Sequence, residues 1–133
     1  MHRLPARAAA VILAVLVVVL VAGCGGSSGG SAIQKPSAAK AVGMMGSLTV
    51  IDVRTPAEYA AGHIAAAQNI DVEAADFGSK IAALDKKARY LVYCHSGNRS
   101  SMAATQMAAA GFTDIVDGGA MADLVAAGAK TQP

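Results

Sequence analysis

One heptapeptide carries the residue types best suited to chemistry, Cys-His-Ser-Gly-Asn-Arg-Ser at residues 94–100. It follows the apolar run 90–93, which indicates a buried strand, and precedes the alanine-rich run 101–104, which indicates a helix. The first amides of a helix have no partner within it and carry the positive end of its dipole, so this position favours an anion. We therefore expect Cys94 to be a nucleophilic thiolate at the lip of the loop, with Arg99 close by. The alternative is an ordinary thiol buried at a strand end.

The first residues have the pattern of a secretory signal. Residues 1–7 carry two arginines, Ala8 to Ala22 is an unbroken apolar run of 15 residues, and Val-Ala-Gly-Cys ends at Cys24. Such a helix is roughly 22 Å long, shorter than the roughly 30 Å hydrocarbon core, which favours a cleaved signal at 1–23 over an uncleaved signal anchor. The ending resembles a bacterial lipobox, which implies lipid on Cys24. In both cases we expect the domain outside the cytoplasmic membrane, held there as a lipoprotein in the first case.

Residues 24–36 are rich in Gly and Ser and predict a lipid-anchored tether, which leaves 37–133 for one small domain. Without the signal, nine basic and nine acidic residues remain, so no basic face for nucleic acid is expected. With Cys24 lipidated, Cys94 is the only thiol, which excludes an internal disulfide. An unpaired cysteine outside the cell is open to oxidation, so we expect this one to have a use.

Strand-like and helix-like runs alternate along the domain. The predicted strands are 48–53, 67–71, 90–94 and 114–116, and the predicted helices are 37–45, 56–61, 76–84, 100–110 and 120–127. The firmest helix start is a capping box, in which Thr55 is the cap, Pro56 the first helical residue and Glu58 the third. This alternation predicts an α/β fold with a central parallel sheet and helices on both faces. Ligands of such sheets bind beyond the carboxyl ends of the strands, where Cys94 lies.

Three segments, residues 51–64, 67–70 and 94–100, resemble the single-domain rhodaneses (thiosulfate sulfurtransferases) in order and spacing. The resemblance covers residues 48–128. It implies a three-layer domain with about five parallel strands, in which the loop cysteine accepts a sulfane sulfur as a persulfide. A small donor such as thiosulfate supplies the sulfur and a thiol or cyanide receives it. No metal or organic cofactor is implied.

The resemblance also assigns roles by position. Cys94 is the nucleophile, and Arg99 is a second catalytic residue that closes the loop, held by a carboxylate such as Glu58 or Asp52; its alternative is a surface charge. The loop residues implied to bind the substrate are His95, Ser96, Gly97, Asn98 and Ser100. The residues implied to brace the loop are Asp52, Arg54, Glu58 and His63.

Two histidines leave alternatives open. His95 stands where close relatives often have Arg, which makes one positive charge at the pocket mouth titratable. His63 is expected to be structural, with a general-base role as the alternative. A metal site built from His63, Cys94 and His95 is the weaker hypothesis, because adjacent residues rarely present two ligands to one ion.

Two other functions compete with sulfur transfer. Phosphatases and arsenate reductases of the same fold carry a Cys and an Arg in this loop, but with one more residue between them than separates Cys94 from Arg99. The smaller ring of amides suits a single sulfur atom better than a tetrahedral oxyanion. A non-enzymatic module that binds or senses sulfane sulfur at the membrane surface is the alternative from another class.

Overall fold

The computed structural model describes residues 30–133. The predicted signal, Cys24 and the first part of the predicted tether lie outside the described residues. The strands are β1 (Ile33–Gln34), β2 (Thr49–Asp52), β3 (His63–Ile64), β4 (Gln68–Asn69), β5 (Arg89–Cys94), β6 (Asp114–Ala120) and β7 (Thr131–Gln132). The α-helices are α1 (Ala38–Met44), α2 (Pro56–Ala60), α3 (Phe77–Ala82), α4 (Asn98–Ala109) and α5 (Met121–Ala126), with a 3-10 turn at Met45–Ser47.

Five strands form a central sheet in the order β1-β6-β5-β2-β4, and every neighbouring pair is parallel. The predicted α/β fold with a parallel sheet of about five strands is therefore confirmed. Strands β3 and β7 form a separate antiparallel pair. The carboxyl ends of β2 and β5 lie side by side, with Asp52 opposite Tyr93, so the first and last of the three resemblance segments meet at one edge.

Successive residues of β5 face opposite sides of the sheet, as the pleat requires. Tyr90, Val92 and Cys94 pack in one hydrophobic cluster with buried residues of α3 and α4. Leu91 and Tyr93 pack in a second cluster with buried residues of α1 and α5. Helices thus cover both faces, and Cys94 lies on the face covered by α4.

The structure departs from the sequence prediction at both ends of the domain. The predicted tether runs to residue 36, but β1 pairs with β6 and Ile33 packs on the core. Near the other end, β7 pairs with β3. Strands of two residues carry too little alternation for periodicity to reveal them.

Strand β6 is also longer than the predicted 114–116, because it continues through a bulge. Val92 pairs with Asp117 and Tyr93 with Gly119, so Gly118 is the extra residue. A Cβ at Gly118 would lie 2.8 Å from Leu91 Cδ2, which explains the glycine. The Asp-Gly-Gly composition instead favours a turn on sequence grounds. No helix among residues 30–133 is long and apolar enough to cross a membrane.

Candidate active site

The Cys94 loop connects the end of β5 to the start of α4. Gly97 precedes the helix with a φ of 96°, a left-handed conformation that glycine adopts without strain. This turn directs the Gly97 amide at Cys94, and its N–H donates to Sγ across 2.9 Å. The amides of Asn98 and Arg99 begin α4 and have no carbonyl partner within the helix. The arrangement is suited to a sulfur anion, because the Gly97 N–H is bonded to Sγ and the positive end of the α4 dipole lies at the same loop.

Cys94 has no solvent-exposed surface, whereas His95, Ser96 and Asn98 are exposed. The sequence predicts a cysteine at the lip of the loop, but the structure places it at the base, in contact with the core. The reason is that helices cover both faces of the sheet, and the alternation of β5 directs Cys94 toward the α4 face, with Val92. Cys94 is a free cysteine. Any molecule that reaches Sγ must therefore pass the loop.

Arg99 is bonded to Glu58 by both ends of its guanidinium. Its Nη1 donates to Glu58 Oε2 at 2.7 Å and its Nη2 donates to Oε1 at 2.8 Å, while Glu73 Oε2 lies 3.4 Å from Nη1. Of the two carboxylates proposed as its partner, the structure places Glu58 there. Asp52 instead binds Arg54.

The Glu58 carboxylate both binds Arg99 and caps α2. Its Oε2 also accepts hydrogen bonds from the backbone N–H and the hydroxyl of Thr55, both at 3.0 Å, which completes the capping box of α2. Hydrogen bonds from Arg99, followed by the bond from the Thr55 backbone, hold the pKa of Glu58 well below its usual range. The same bonds to Glu58 raise the pKa of Arg99 against the opposing effect of burial, with smaller contributions from Glu73 and Cys94. The capped start of α2 is thus fastened to the first turn of α4.

A buried ion pair braces the neighbouring strand end. Arg54 Nε donates to Asp52 Oδ1 at 2.9 Å, and its Nη2 donates to Asp52 Oδ2 at 2.6 Å and to the Gly62 carbonyl at 2.7 Å. The hydrogen bond to Asp52 is the main reason that the pKa of Arg54 is raised. The Tyr93 hydroxyl donates to Asp52 Oδ2 at 2.7 Å and accepts from the Ile64 amide at 3.0 Å. Burial and the bond to Asp52 raise the pKa of Tyr93.

His63 is buried, and both of its ring nitrogens have partners. Its ring stacks on Tyr59 with centroids 3.7 Å apart. Nδ1 lies 3.0 Å from the Tyr59 carbonyl oxygen, and Nε2 lies 3.2 Å from Gln132 Nε2. A proton on Nδ1 satisfies both contacts, since Nε2 then accepts from Gln132. These contacts fit the structural role expected for His63 and leave neither nitrogen free to act as a general base.

The metal hypothesis gains no support from the described part of the chain. Residues 30–133 contain no group of three or more His, Cys, Asp or Glu side chains placed to hold a metal ion. His63 is buried beside Tyr59, whereas His95 is exposed on the loop.

Asp117 is a site residue that the sequence does not reveal. It is buried behind the loop, where its Oδ1 lies 2.7 Å from Ser100 Oγ and accepts from the Gly119 amide at 3.1 Å. Lys35 approaches Oδ2 at 3.6 Å. Ser100, expected to bind the substrate, is itself buried and bonded to this carboxylate. The only signal in the sequence is an Asp between an apolar run and two glycines, which is also typical of a turn.

Comparisons with known proteins identify the family of this chain. The model of the rhodanese-like domain family matches residues 36–122. The thiosulfate sulfurtransferase GlpE of Pseudomonas fluorescens (strain SBW25) is 42% identical over 87 residues, which are 63% of this chain and 76% of that protein. GlpE of Pseudomonas putida (strain F1) is 44% identical over 73 residues, 53% of this chain and 64% of that protein.

Solved structures show the same architecture. A rhodanese-related protein from Thermoplasma volcanium is 28% identical and superimposes with a TM-score of 0.64, covering 74% of this chain and 97% of its own. A rhodanese with anions from E. coli is 27% identical with a TM-score of 0.52, covering 63% of this chain and 95% of its own.

Proposed function

The chain belongs to the family of rhodanese-like domains and is a rhodanese-type sulfurtransferase, and we propose that it moves sulfane sulfur from a donor such as thiosulfate through a persulfide on Cys94. The acceptor in this proposal is a thiol or cyanide. The observation that carries the proposal is the Gly97 N–H bonded to Cys94 Sγ, at the junction of β5 and α4. The same N–H can stabilise the negative charge of the thiolate and, after sulfur transfer, that of the persulfide.

The reaction proceeds in two halves. The Cys94 thiolate attacks the outer sulfur of thiosulfate; the new S–S bond forms, the S–S bond of thiosulfate breaks, and sulfite leaves with the electron pair. The acceptor then attacks the outer sulfur of the persulfide, and Cys94 leaves as the thiolate. With cyanide the product is thiocyanate. Each half is a nucleophilic displacement at sulfur, in which the loop amides stabilise the cysteine anion.

The position of Arg99 supports sulfur transfer over chemistry on a tetrahedral oxyanion. Four residues separate Cys94 from Arg99, which gives a small ring of amides. The guanidinium is bonded to Glu58 through both of its terminal nitrogens. We infer that Arg99 fixes the loop to α2, a role that needs no contact with the substrate.

Mass spectrometry of the protein after treatment with thiosulfate alone tests the persulfide. We expect the mass of one added sulfur, mapped to the peptide that contains Cys94, and its loss with formation of thiocyanate when cyanide follows. Cys94→Ser is the control and should show neither. Turnover of wild-type protein that never shows the added sulfur would contradict the persulfide mechanism, whereas a stable persulfide without thiocyanate would favour the sulfur-binding module.

The second part of the proposal concerns location. From the Val-Ala-Gly-Cys ending we propose that Cys24 is the lipidated first residue of the mature chain and holds the domain at the outer side of a bacterial membrane. One acyl chain anchors a protein only marginally, so several chains on Cys24 are expected. Intact mass of the protein purified from membranes tests this. A Cys24→Ala variant should lack the acyl mass, and an unmodified wild-type chain beginning at Met1 would contradict the proposal.

A further inference from the structure

A groove of about 540 Å³ lies beside the Cys94 loop. One wall is the exposed face of α5, and the loop and β7 close it on other sides. The residues that line this α5 groove are His95, Met121, Ala122, Val125, Ala126 and Thr131. Its volume is in the range of small-molecule pockets, about 300–1,000 Å³.

The chemistry of the α5 groove differs from that of the loop. Four of its six lining residues are apolar, and His95 is the only ionisable one. Val125 is 40% exposed, one of two large apolar side chains in the described part of the chain with such exposure. The other, Met102, lies on α4 and lines a different depression, whose other lining residues are all polar. An apolar surface therefore stands next to the residue that follows the nucleophile.

An apolar wall adds no binding free energy for thiosulfate or cyanide, because both are small and polar. An alkyl body attached to a thiol does gain, since its transfer from water to an apolar surface is favourable. Resting on the proposed sulfur transfer, we infer that the α5 groove binds the body of the acceptor, and that this acceptor is a small thiol with an apolar chain. The groove orients the thiol so that its sulfur faces the loop.

The step is balanced without a further reagent. The acceptor thiolate attacks the outer sulfur of the Cys94 persulfide, the bond between that sulfur and Cys94 Sγ breaks, and Cys94 leaves as the thiolate. The acceptor departs as its own persulfide. No net oxidation or reduction takes place, because the sulfane sulfur only passes from one thiolate, Cys94, to another, the acceptor.

The test measures acceptor kcat/KM for a series of straight-chain alkanethiols from ethanethiol to hexanethiol at saturating thiosulfate, with cyanide as the reference acceptor. We expect kcat/KM to rise roughly twofold to fourfold per methylene. The lower figure corresponds to partial burial of each methylene in the groove and the upper figure to full burial. Val125→Gln makes the groove wall polar without adding charge and should flatten the rise. Met102→Gln makes the same change at the matched exposed position on α4 and should leave the rise as in the wild type. All three proteins are measured in the same buffer, so any loss of free thiol from solution is equal for each and does not affect the comparison.

A flat series in the wild type, or an equal rise in the Val125→Gln protein, would overturn the inference about the α5 groove. If thiocyanate still forms from cyanide in that case, the proposed sulfur transfer stands without the groove. If the protein yields neither a persulfide nor thiocyanate, the proposed function itself is wrong and the groove proposal falls with it.

Discussion

Arg99 and Glu58 face each other with paired contacts of 2.7 and 2.8 Å between guanidinium and carboxylate, although they lie 41 residues apart in the chain. Through this pair, the loop after β5 is joined to the capped start of α2. The arginine at the end of the Cys94 loop is thus held by the protein itself. Arg99 therefore fixes the position of the loop, and its positive charge is held at a fixed position relative to Cys94.

This pairing predicts how activity responds to substitution. Glu58→Gln and Arg99→Ala should each lower kcat/KM for thiosulfate, and by less than the roughly 10²–10³ that loss of a donor to a developing anion costs. Because each residue acts through the other, the double variant should be no worse than the poorer single variant. Steady-state kinetics of the four proteins gives the answer. Fully additive losses would mean that Arg99 contacts the substrate independently of Glu58.

The lowered pKa of Glu58 predicts a dependence of stability on pH. A carboxylate whose pKa is lower in the folded state stabilises the fold above its unfolded value of about 4.5, and this stabilisation is lost as the pH falls below that value. Both side chains are partly exposed, so the contribution is small, up to about 1 kcal/mol. In urea titrations between pH 7 and pH 3, Glu58→Gln should flatten the acid decline.

Asp76→Asn is the control for this titration, because Asp76, the residue just before α3, forms an exposed pair with Lys80 of that helix. It should leave the acid decline nearly as in the wild type. If Glu58→Gln and wild type decline in parallel, the pair contributes nothing measurable to stability.

Local signals in the sequence predict the local parts of this site. The capping box at Thr55 and Glu58 is visible within four residues, and the structure confirms both of its hydrogen bonds. The strand before Cys94 and the helix after it are also visible from their apolar patterns. The parallel order of the strands follows from the alternation of elements.

Contacts between distant segments are not encoded in any local pattern. The resemblance suggests two carboxylates for Arg99, and the fold selects Glu58 because Asp52 lies buried with Arg54. Nothing local marks Asp117 as the partner of Ser100. Whether Cys94 faces α4 or α5 depends on its position in β5, and the packing of α4 against that face of the sheet is a contact between distant segments.

Substitution of Gly97 is predicted to be costly for a conformational reason. Its φ of 96° strains any residue with a Cβ, by roughly 1–2 kcal/mol, although the added Cβ itself would make only an ordinary contact, 3.7 Å from Gly119 Cα. Gly97→Ala should therefore lower both the unfolding free energy and the rate of sulfur transfer, because the amide bonded to Cys94 Sγ moves. Gly43→Ala is the control, since Gly43 lies in α1 with open space around it. It should be neutral or stabilising by up to about 1 kcal/mol. Equal behaviour of the two variants in unfolding and kinetics would contradict this explanation.

Asp117 is predicted to hold the loop from behind. Asp117→Ala removes a buried acceptor from Ser100 and from the Gly119 amide, which should cost about 1–3 kcal/mol in urea unfolding. Asp117→Asn keeps a carbonyl oxygen for both donors and loses only the contact with the exposed Lys35, so we expect a loss below about 1 kcal/mol.

The hydrogen-exchange rate of the Gly97 amide distinguishes a local role of Asp117 at the loop from a general contribution to stability. Asp117→Ala should speed this exchange more than exchange in the middle of β5, because the Gly119 amide loses its acceptor and Ser100 Oγ keeps only the Gly97 carbonyl, 3.0 Å away within the loop itself. Asp114→Ala is the matched control on the same strand, where the carboxylate pairs with Arg89 at the end of β6 away from the loop. It should leave the Gly97 amide as protected as in the wild type. Uniform acceleration of exchange across the sheet in Asp117→Ala would assign this carboxylate to general stability and not to the loop.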